Sequence, residues 1–215
     1  MLTQLHLDRW ADVLVRHATK VSPGNIVRIN AQSAAEPLLE TVYRKVLGAG
    51  GHPVLNCRPD FLGEAFYELA NDEQLDWSNP FTLHEAQAID ASININANTN
   101  LRSLDKFDTA TTQRAARSQK ESRELFFQRA AVADDPSIDS ELAPLLWSTT
   151  LFPTNAYAQD AGMSLSDYND FVVRACQLNQ EDPVSFWESL DRWQCKLAEK
   201  LMTGSELHFQ TPAGT

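Results

Sequence analysis

The sequence has 215 residues, of which 43% are hydrophobic and 22% charged, a composition typical of a large globular domain and not of a disordered chain. Its 18 basic and 29 acidic side chains give a net charge of −11, which disfavours nucleic acid and anionic membranes as partners. No apolar run approaches the roughly 20 residues of a membrane span, and the N-terminus lacks the basic-then-apolar pattern of a secretory signal.

The beginning of the chain predicts a helix followed by a strand–helix–strand unit. Apolar side chains recur at steps of three and four between Leu7 and His17, which predicts an amphipathic helix. The β-branched run Ile26–Ile29 and the apolar run at residues 52–57 each predict a strand. Because the connections are short, we expect a βαβ unit with parallel strands.

The helix between these two strands carries start and stop signals. Ser33 and Glu36 have the spacing of a capping box. Pro37 stands in the first turn, where a missing N–H costs nothing. The helix is predicted to end at a group of glycines, namely Gly48, Gly50 and Gly51.

Two further strands and a polar helix are predicted in the middle of the chain. Residues 89–95 alternate between apolar and polar side chains, which predicts a strand with one buried and one polar face. Residues 145–151 predict a fourth strand. Residues 109–131 predict a helix whose basic side chains favour a solvated face over an acidic or phosphate-bearing partner. These basic side chains are Arg114, Arg117, Lys120, Arg123 and Arg129.

The last third of the chain predicts two capped helices. Ser164 and Asp167 form a capping pair, and Asp182 precedes a proline at the start of a long helix that ends at Gly204. Residues 206–210 predict a short strand. Together the elements predict the α/β class, with a mostly parallel, Rossmann-like sheet flanked by helices and a helical segment near the C-terminus.

Motifs that carry catalysis or cofactor binding are missing from the sequence. The turn after the first strand has no glycine, and no phosphate-binding loop, H-E-x-x-H or G-x-S-x-G is present. The three cysteines form neither a disulfide framework nor a zinc cluster, which favours a reducing, cytoplasmic compartment. We therefore predict no catalytic residue, no metal ligand and no cofactor in this chain.

Polar and aromatic side chains follow the third and fourth predicted strands. Ligands of open α/β sheets bind beyond the carboxyl ends of the strands. The asparagines of residues 94–100 are suited to hold a peptide backbone there, although asparagine also favours simple turns. Residues 149–157 are equally suited to a cleft and to packing. The candidate cleft or interdomain residues are Asn98, Asn100, Thr150, Phe152 and Tyr157.

One long segment is specific enough to compare with a known family. Residues 151–164 read Leu-Phe-Pro-Thr-Asn-Ala-Tyr-Ala-Gln-Asp-Ala-Gly-Met-Ser. This segment resembles the corresponding part of the aminopeptidase T family, the thermophilic metallo-aminopeptidases also known as leucyl aminopeptidases. The resemblance extends to residues 23–27, 35–38 and 50–53 and to several positions in residues 168–184, so it covers essentially the whole chain in order.

The resemblance implies the front half of a two-domain enzyme. Family members remove N-terminal amino acids with a pair of divalent metals, Zn, Co or Mg, held in the C-terminal half by glutamate, histidine and aspartate. None of these positions can be placed on this sequence. Residues 1–210 are then expected to be the N-terminal α/β domain, and residues 211–215 the start of the connection to a missing catalytic domain.

The resemblance also implies partners and an orientation. The expected partners are the protein's own C-terminal catalytic domain, a peptide substrate and a second copy in a homodimer. The loops at residues 96–100 and 150–157 are expected to face the missing half, because each follows a strand. The alternative is a stand-alone α/β module that binds peptides or oligomerises without catalysis, because a fold alone does not fix a function.

Overall fold

A parallel β-sheet organises the molecule. The computed structural model describes residues 2–135, 137–206 and 208–211. Within them, four strands lie side by side in the order β2–β1–β3–β4, and every neighbouring pair is parallel. This arrangement confirms the predicted α/β class with a parallel sheet flanked by helices. The strands are β1 Ile26–Gln32, β2 His52–Arg58, β3 Ala91–Asn96 and β4 Leu146–Leu151.

Helices connect and cover the strands. The first helix continues as a π-helical turn over Val13–Ala18, and a 3-10 turn over Ser33–Ala35 precedes the second helix. No helix in the described part of the chain is both long enough and apolar enough to cross a bilayer. The α-helices are α1 Gln4–Asp12, α2 Glu36–Gly48, α3 Phe61–Leu69, α4 Asp72–Asp76, α5 Pro80–Ala88, α6 Thr109–Ser118, α7 Lys120–Asp134, α8 Asn155–Asp160, α9 Leu165–Ala175 and α10 Pro183–Met202.

The hydrophobic core lies on one face of the sheet. Side chains alternate between the two faces of a strand. In β1 and β3 the alternate residues Ile29, Ile93 and Ile95 are buried against α1 and α2. Burying an isoleucine side chain contributes about 1.5–3 kcal/mol, so this face holds the sheet to its helices. The helices contribute Leu7, Trp10, Leu14, Leu38, Val42 and Val46 to the same core.

The opposite face of the sheet is polar. It carries Arg28 and Asn30 from β1, Ser92 and Asn94 from β3, and Thr149 from β4, in register across the three strands. The helix α7 packs on β4 and on α5, so this second helical layer stands on the polar side. The predicted alternation of residues 89–95 between a buried and a polar face is therefore confirmed.

The predicted capping box of α2 is wrong. The 3-10 turn at Ser33–Ala35 delays the helix, so Glu36 becomes its first residue instead of its third. The cap position falls on Ala35, whose side chain has no oxygen to accept a hydrogen bond.

Three other sequence predictions need correction. Residues 109–131 do not form one helix, because the helix is interrupted at Gln119, between α6 and α7. Arg129 is buried and not on a solvated face, because its guanidinium satisfies backbone carbonyls. The predicted strand at residues 206–210 is absent at residues 206 and 208–210, and Leu207 lies outside the described residues.

Candidate functional site

Two of the predicted site residues meet at the carboxyl edge of the sheet. Asn98 follows β3, and Tyr157 lies in α8, which follows β4. The Asn98 N–H donates to the Tyr157 hydroxyl oxygen over 3.4 Å. The Thr154 hydroxyl donates to the Asn98 carbonyl oxygen over 2.6 Å. The side chain of Asn98 also accepts a hydrogen bond from Gln32 at the end of β1, so the ends of three strands are joined through this asparagine.

Tyr157 is a neutral phenol at this edge. Burial raises the pKa of its hydroxyl above the ordinary value, and the hydrogen bond with the Asn98 N–H opposes that shift. At neutral pH the hydroxyl therefore keeps its proton and remains available to donate to a ligand while its oxygen accepts from Asn98. This geometry suits the binding of a carbonyl group and gives no sign of an activated nucleophile.

The next residues of the loop connect this edge to α3. The Asp60 carboxylate accepts hydrogen bonds from the Thr99 N–H over 2.6 Å and from the Thr99 hydroxyl over 2.7 Å. Asn100 is exposed, and its side chain accepts from the Arg102 N–H over 2.9 Å, which is a local turn. Asn100 therefore lies apart from the Asn98–Tyr157 pair.

Thr150 and Phe152 lie on the core side of β4. The Trp10 indole N–H donates to the Thr150 hydroxyl oxygen over 3.1 Å, and the Trp10 ring stacks on Phe152 with centroids 6.3 Å apart. The structure thus separates the five candidates into the pair Asn98 and Tyr157, the pair Thr150 and Phe152, and the isolated Asn100.

A large cleft on the polar face of the sheet was missed by the sequence analysis. Its volume is about 890 Å³, and it lies between the sheet and the layer of helices α3–α7. Polar side chains from alternate strand positions form its floor, and aromatic side chains form its walls. The floor includes Arg28, Asn30, Asn56, Asn94, Asn96 and Thr149, and the walls include Phe66, Tyr67, Trp77, Phe126, Phe127 and Trp147.

Arg28 is fixed in the floor of this cleft by four contacts. Its guanidinium donates to the Ser92 hydroxyl oxygen over 3.0 and 3.2 Å and to a Glu85 carboxylate oxygen over 3.0 Å. Its Cζ lies 5.1 Å from the centroid of the Phe126 ring. The other Glu85 oxygen accepts from the Asn56 amide over 2.8 Å. The charge of Arg28 is therefore compensated within the protein.

Amide side chains continue the floor toward β4. The Asn30 amide donates to the Asn94 side-chain oxygen over 2.8 Å. The sequence signal for this face was the spacing of Arg28, Asn30 and Gln32, polar residues at every second position of a strand. The short run Ile26–Ile29 predicts a strand, but it does not show which distant elements cover the polar face of that strand.

The described residues do not form a metal centre. Among residues 2–135, 137–206 and 208–211, no group of three or more histidine, cysteine, aspartate or glutamate side chains converges so that it could hold a metal ion. Acidic side chains near the site already have partners within the protein. Glu85 forms an ion pair with Arg28, and Asp60 accepts a hydrogen bond from Thr99. These residues do not fit a catalytic metal ion.

The fold and the site together define a parallel α/β domain with a polar cleft and a polar strand edge. The sequence profile of the thermophilic metalloprotease family, M29, matches residues 3–215. The chain belongs to this metalloprotease family.

Comparison with solved structures supports the fold. Wild-type AmpT from Thermus thermophilus matches with a TM-score of 0.66 at 15% sequence identity, over 90% of this chain and 48% of that chain. The present chain therefore spans about half the length of AmpT. CurK enoyl reductase matches with a TM-score of 0.27 at 10% identity, over 67% of this chain and 60% of that chain, which is too weak to support any argument. A search of curated proteins found no match.

Proposed function

We propose that this chain is the N-terminal, non-metal-binding domain of a metal-dependent aminopeptidase that hydrolyses N-terminal amino acids from peptides. The observation that carries the proposal is the match of residues 3–215 to the metalloprotease family. The likeness to only 48% of AmpT adds support, because it leaves room for a second domain of similar size. Residues 1–210 would form the domain, and residues 211–215, of which only Thr211 is described, would begin the connection.

In this proposal the catalytic residues and two divalent metals belong to the second domain. The present domain would form a wall of the substrate cavity with the edge that carries Asn98 and Tyr157. The neutral Tyr157 hydroxyl would donate a hydrogen bond to a peptide carbonyl, and Asn98 would hold the tyrosine in place. A peptide substrate and a homodimer remain part of the same proposal.

An exposed apolar surface on α10 supports the proposal that a second domain packs against this one. The second half of this helix carries Trp193, Leu197 and Leu201 on its surface, with Trp193 59% exposed. These residues stand at helical spacing on one stripe. Contiguous apolar surface of this kind marks an interface, and the proposed occupant is the catalytic domain.

The first test is catalytic. We expect the product of the native gene to release N-terminal residues from peptides, and we expect a chelator to stop the reaction. The 215-residue chain alone should be inactive. A native product of 24.1 kDa without peptidase activity would contradict the proposal and favour a stand-alone peptide-binding module.

The second test concerns the edge residues. In the active protein, Tyr157→Phe should raise KM by about tenfold, the equivalent of one lost hydrogen bond of about 1.4 kcal/mol. Asn100→Ala is the control, because Asn100 makes only a local turn. An unchanged KM and kcat for Tyr157→Phe would contradict the assigned role.

A further inference from the structure

The residues that line the cleft on the polar sheet face carry a net positive charge, although the protein as a whole is acidic. Of the described residues that line it, the charged ones are Arg28, Arg58, Arg123 and Glu85. Glu85 compensates Arg28 through the 3.0 Å ion pair. Two guanidinium charges are therefore left over in a cleft of a protein whose net charge is −11. A concave site with one sign of charge concentrates ligands of the opposite sign.

The two remaining arginines are free to bind. Arg58 is the last residue of β2, and Arg123 lies at the end of the first turn of α7. Both are exposed. Within the described part of the chain, neither forms an ion pair or a side-chain hydrogen bond. The five donors of each guanidinium match the two oxygens of a carboxylate.

The other residues that line the cleft indicate a ligand that has amide groups and apolar side chains as well as a negative charge. The floor presents amide groups, such as Asn30, Asn56 and Asn96, which can both donate to and accept from a peptide backbone. The walls present Trp77 and Trp147, which are 57% and 41% exposed and offer apolar surface. The volume of about 890 Å³ lies within the range of about 300–1,000 Å³ that is usual for ligand sites. A short peptide combines backbone amides, side chains and one terminal carboxylate.

We propose that this cleft binds short peptides with a free C-terminal carboxylate, which Arg58 and Arg123 recognise at its rim. The choice of a peptide as ligand rests on the proposed function, because the protein belongs to a peptidase family. The cleft would hold the peptide end opposite to the one at which an aminopeptidase acts, so it would set a preference for short substrates or retain the shortened product.

The test is a binding experiment that needs no metal and no catalysis. Trileucine and its C-terminal amide are titrated into the protein by calorimetry in the presence of a chelator. We expect the amide to bind at least about tenfold more weakly than the acid, since a charge-assisted hydrogen bond is worth about 1.5–3 kcal/mol and 1.4 kcal/mol is a factor of ten.

Variants of the protein are titrated with the same two ligands, in the manner of a double-mutant cycle. The double variant Arg58→Ala/Arg123→Ala should bind the acid at least about tenfold more weakly and should bind acid and amide alike. Both arginines are exposed and unpaired within the described chain, so the variant should fold normally. The double variant Arg44→Ala/Arg117→Ala removes the same charge outside the cleft and should keep the preference for the acid.

Three results would overturn the inference: equal binding of acid and amide by the unmodified protein, a preference for the acid that survives in the Arg58→Ala/Arg123→Ala variant, or no binding of either ligand. Failure of the proposed function would be seen differently. In that case the native gene product would lack chelator-sensitive peptidase activity, whereas peptide binding by the cleft could still be measured.

Discussion

A single side chain, that of Arg129, connects several elements of the helical layer on the polar face of the sheet. It is 3% exposed, and its guanidinium donates to the carbonyl oxygens of Ala143 and Ala86 over 2.8 Å each and of Gln87 over 3.1 Å. Burial lowers the pKa of the guanidinium, which nevertheless remains charged at neutral pH. One residue thus joins α7 to the end of α5 and to the segment before β4.

Replacement of Arg129 should therefore destabilise the domain strongly. We expect Arg129→Met to lower the free energy of unfolding by about 3 kcal/mol, because several buried carbonyl groups lose their donor. The control is Arg123→Met on the same helix, where the side chain is exposed and the change should stay within about 0.5 kcal/mol. Urea denaturation measures both, and equal midpoints for the two variants would contradict this account of Arg129.

Neighbouring threonines of β4 should respond differently to the same change. Thr150 accepts from the indole of Trp10, which is 2% exposed, so Thr150→Val leaves a buried N–H without a partner and should cost about 1 kcal/mol. Thr149 faces the cleft and is exposed, so Thr149→Val should be nearly neutral. The two variants are compared by thermal unfolding, and a reversed order would mean that the strand faces are assigned incorrectly.

The residue scale is also where sequence reasoning was weakest. The burial of Arg129 could not be predicted, since it depends on carbonyl groups of α5 and of residues 143–144 that only the fold brings together. In the same way, Thr150 and Phe152 lie at the C-terminal end of β4, where cleft residues are also expected. Only the position of Trp10 shows that they pack on the core side.

At the scale of elements, Gly51 is needed for close packing in the connection between α2 and β2. A Cβ added to Gly51 would lie 2.8 Å from the Val21 Cγ1 and 3.1 Å from the Val46 Cγ1. We expect Gly51→Ala to cost about 1–3 kcal/mol through overpacking. Gly48 has open space around its Cβ position within α2, so Gly48→Ala should be neutral or stabilising by up to about 1 kcal/mol. Denaturant midpoints of the two variants test this contrast, and equal losses would contradict it.

The stability that the N-terminal cap of α10 contributes should depend on pH in the acid range. Its cap Asp182 accepts from the Ser185 hydroxyl over 2.6 Å and from the Ser185 N–H over 3.1 Å, and these bonds hold the pKa of the carboxyl below its ordinary value. The stabilisation is therefore present above the ordinary pKa of about 3.9 and is lost as the pH falls through the lower pKa of the folded protein.

Asp182→Asn keeps a good cap residue but removes the titrating charge. We expect the unmodified protein to have the higher Tm at pH 7 and the difference to shrink as the pH falls below the ordinary carboxyl pKa of about 3.9. Thermal unfolding from pH 7 to pH 2.5 measures it. A difference that is constant over the whole range would show that the carboxylate charge plays no part.

The contrast between the helix caps explains which element boundaries are predictable. Asp182 and Ser164 act locally, within three residues, so their spacing was sufficient to predict them. Ser33 had the same local pattern, but the chain leaves β1 in a 3-10 turn and the helix begins later. The connection to the end of a strand, which is a tertiary constraint, decided that boundary.

At the scale of the whole molecule, the exposed stripe of α10 should make the isolated chain associate. We expect Trp193→Glu/Leu197→Glu to reduce the association of the 215-residue chain at high concentration without lowering its stability, because both side chains are exposed. Gln194→Glu, also exposed on the same helix, is the control for added negative charge. Sedimentation velocity measures the effect, and association that is unchanged in the double variant would contradict it.

The class of fold was predictable because four apolar runs alternate with helical patterns. Such alternation indicates a parallel sheet, whatever the order of its strands. The order β2–β1–β3–β4 was not, because strand pairing depends on contacts between residues distant in sequence. The cleft was unpredictable for the same reason. Its floor can be found in the alternation of β1, but its aromatic walls come from α3, α7 and the segment around Trp77.

The strand order also bears on how the chain folds as it is made. The pair β1 and β2 joins Ile26 to His52, whereas β1 and β3 must bring Val27 to Ala91, and β3 and β4 must bring Ala91 to Leu146. Closing a shorter loop costs less entropy, and the first residues leave the ribosome first. The β1–α2–β2 unit can therefore begin to form while the rest is still being synthesised. The cleft is completed later, because its lining includes residues of β3, α7 and β4.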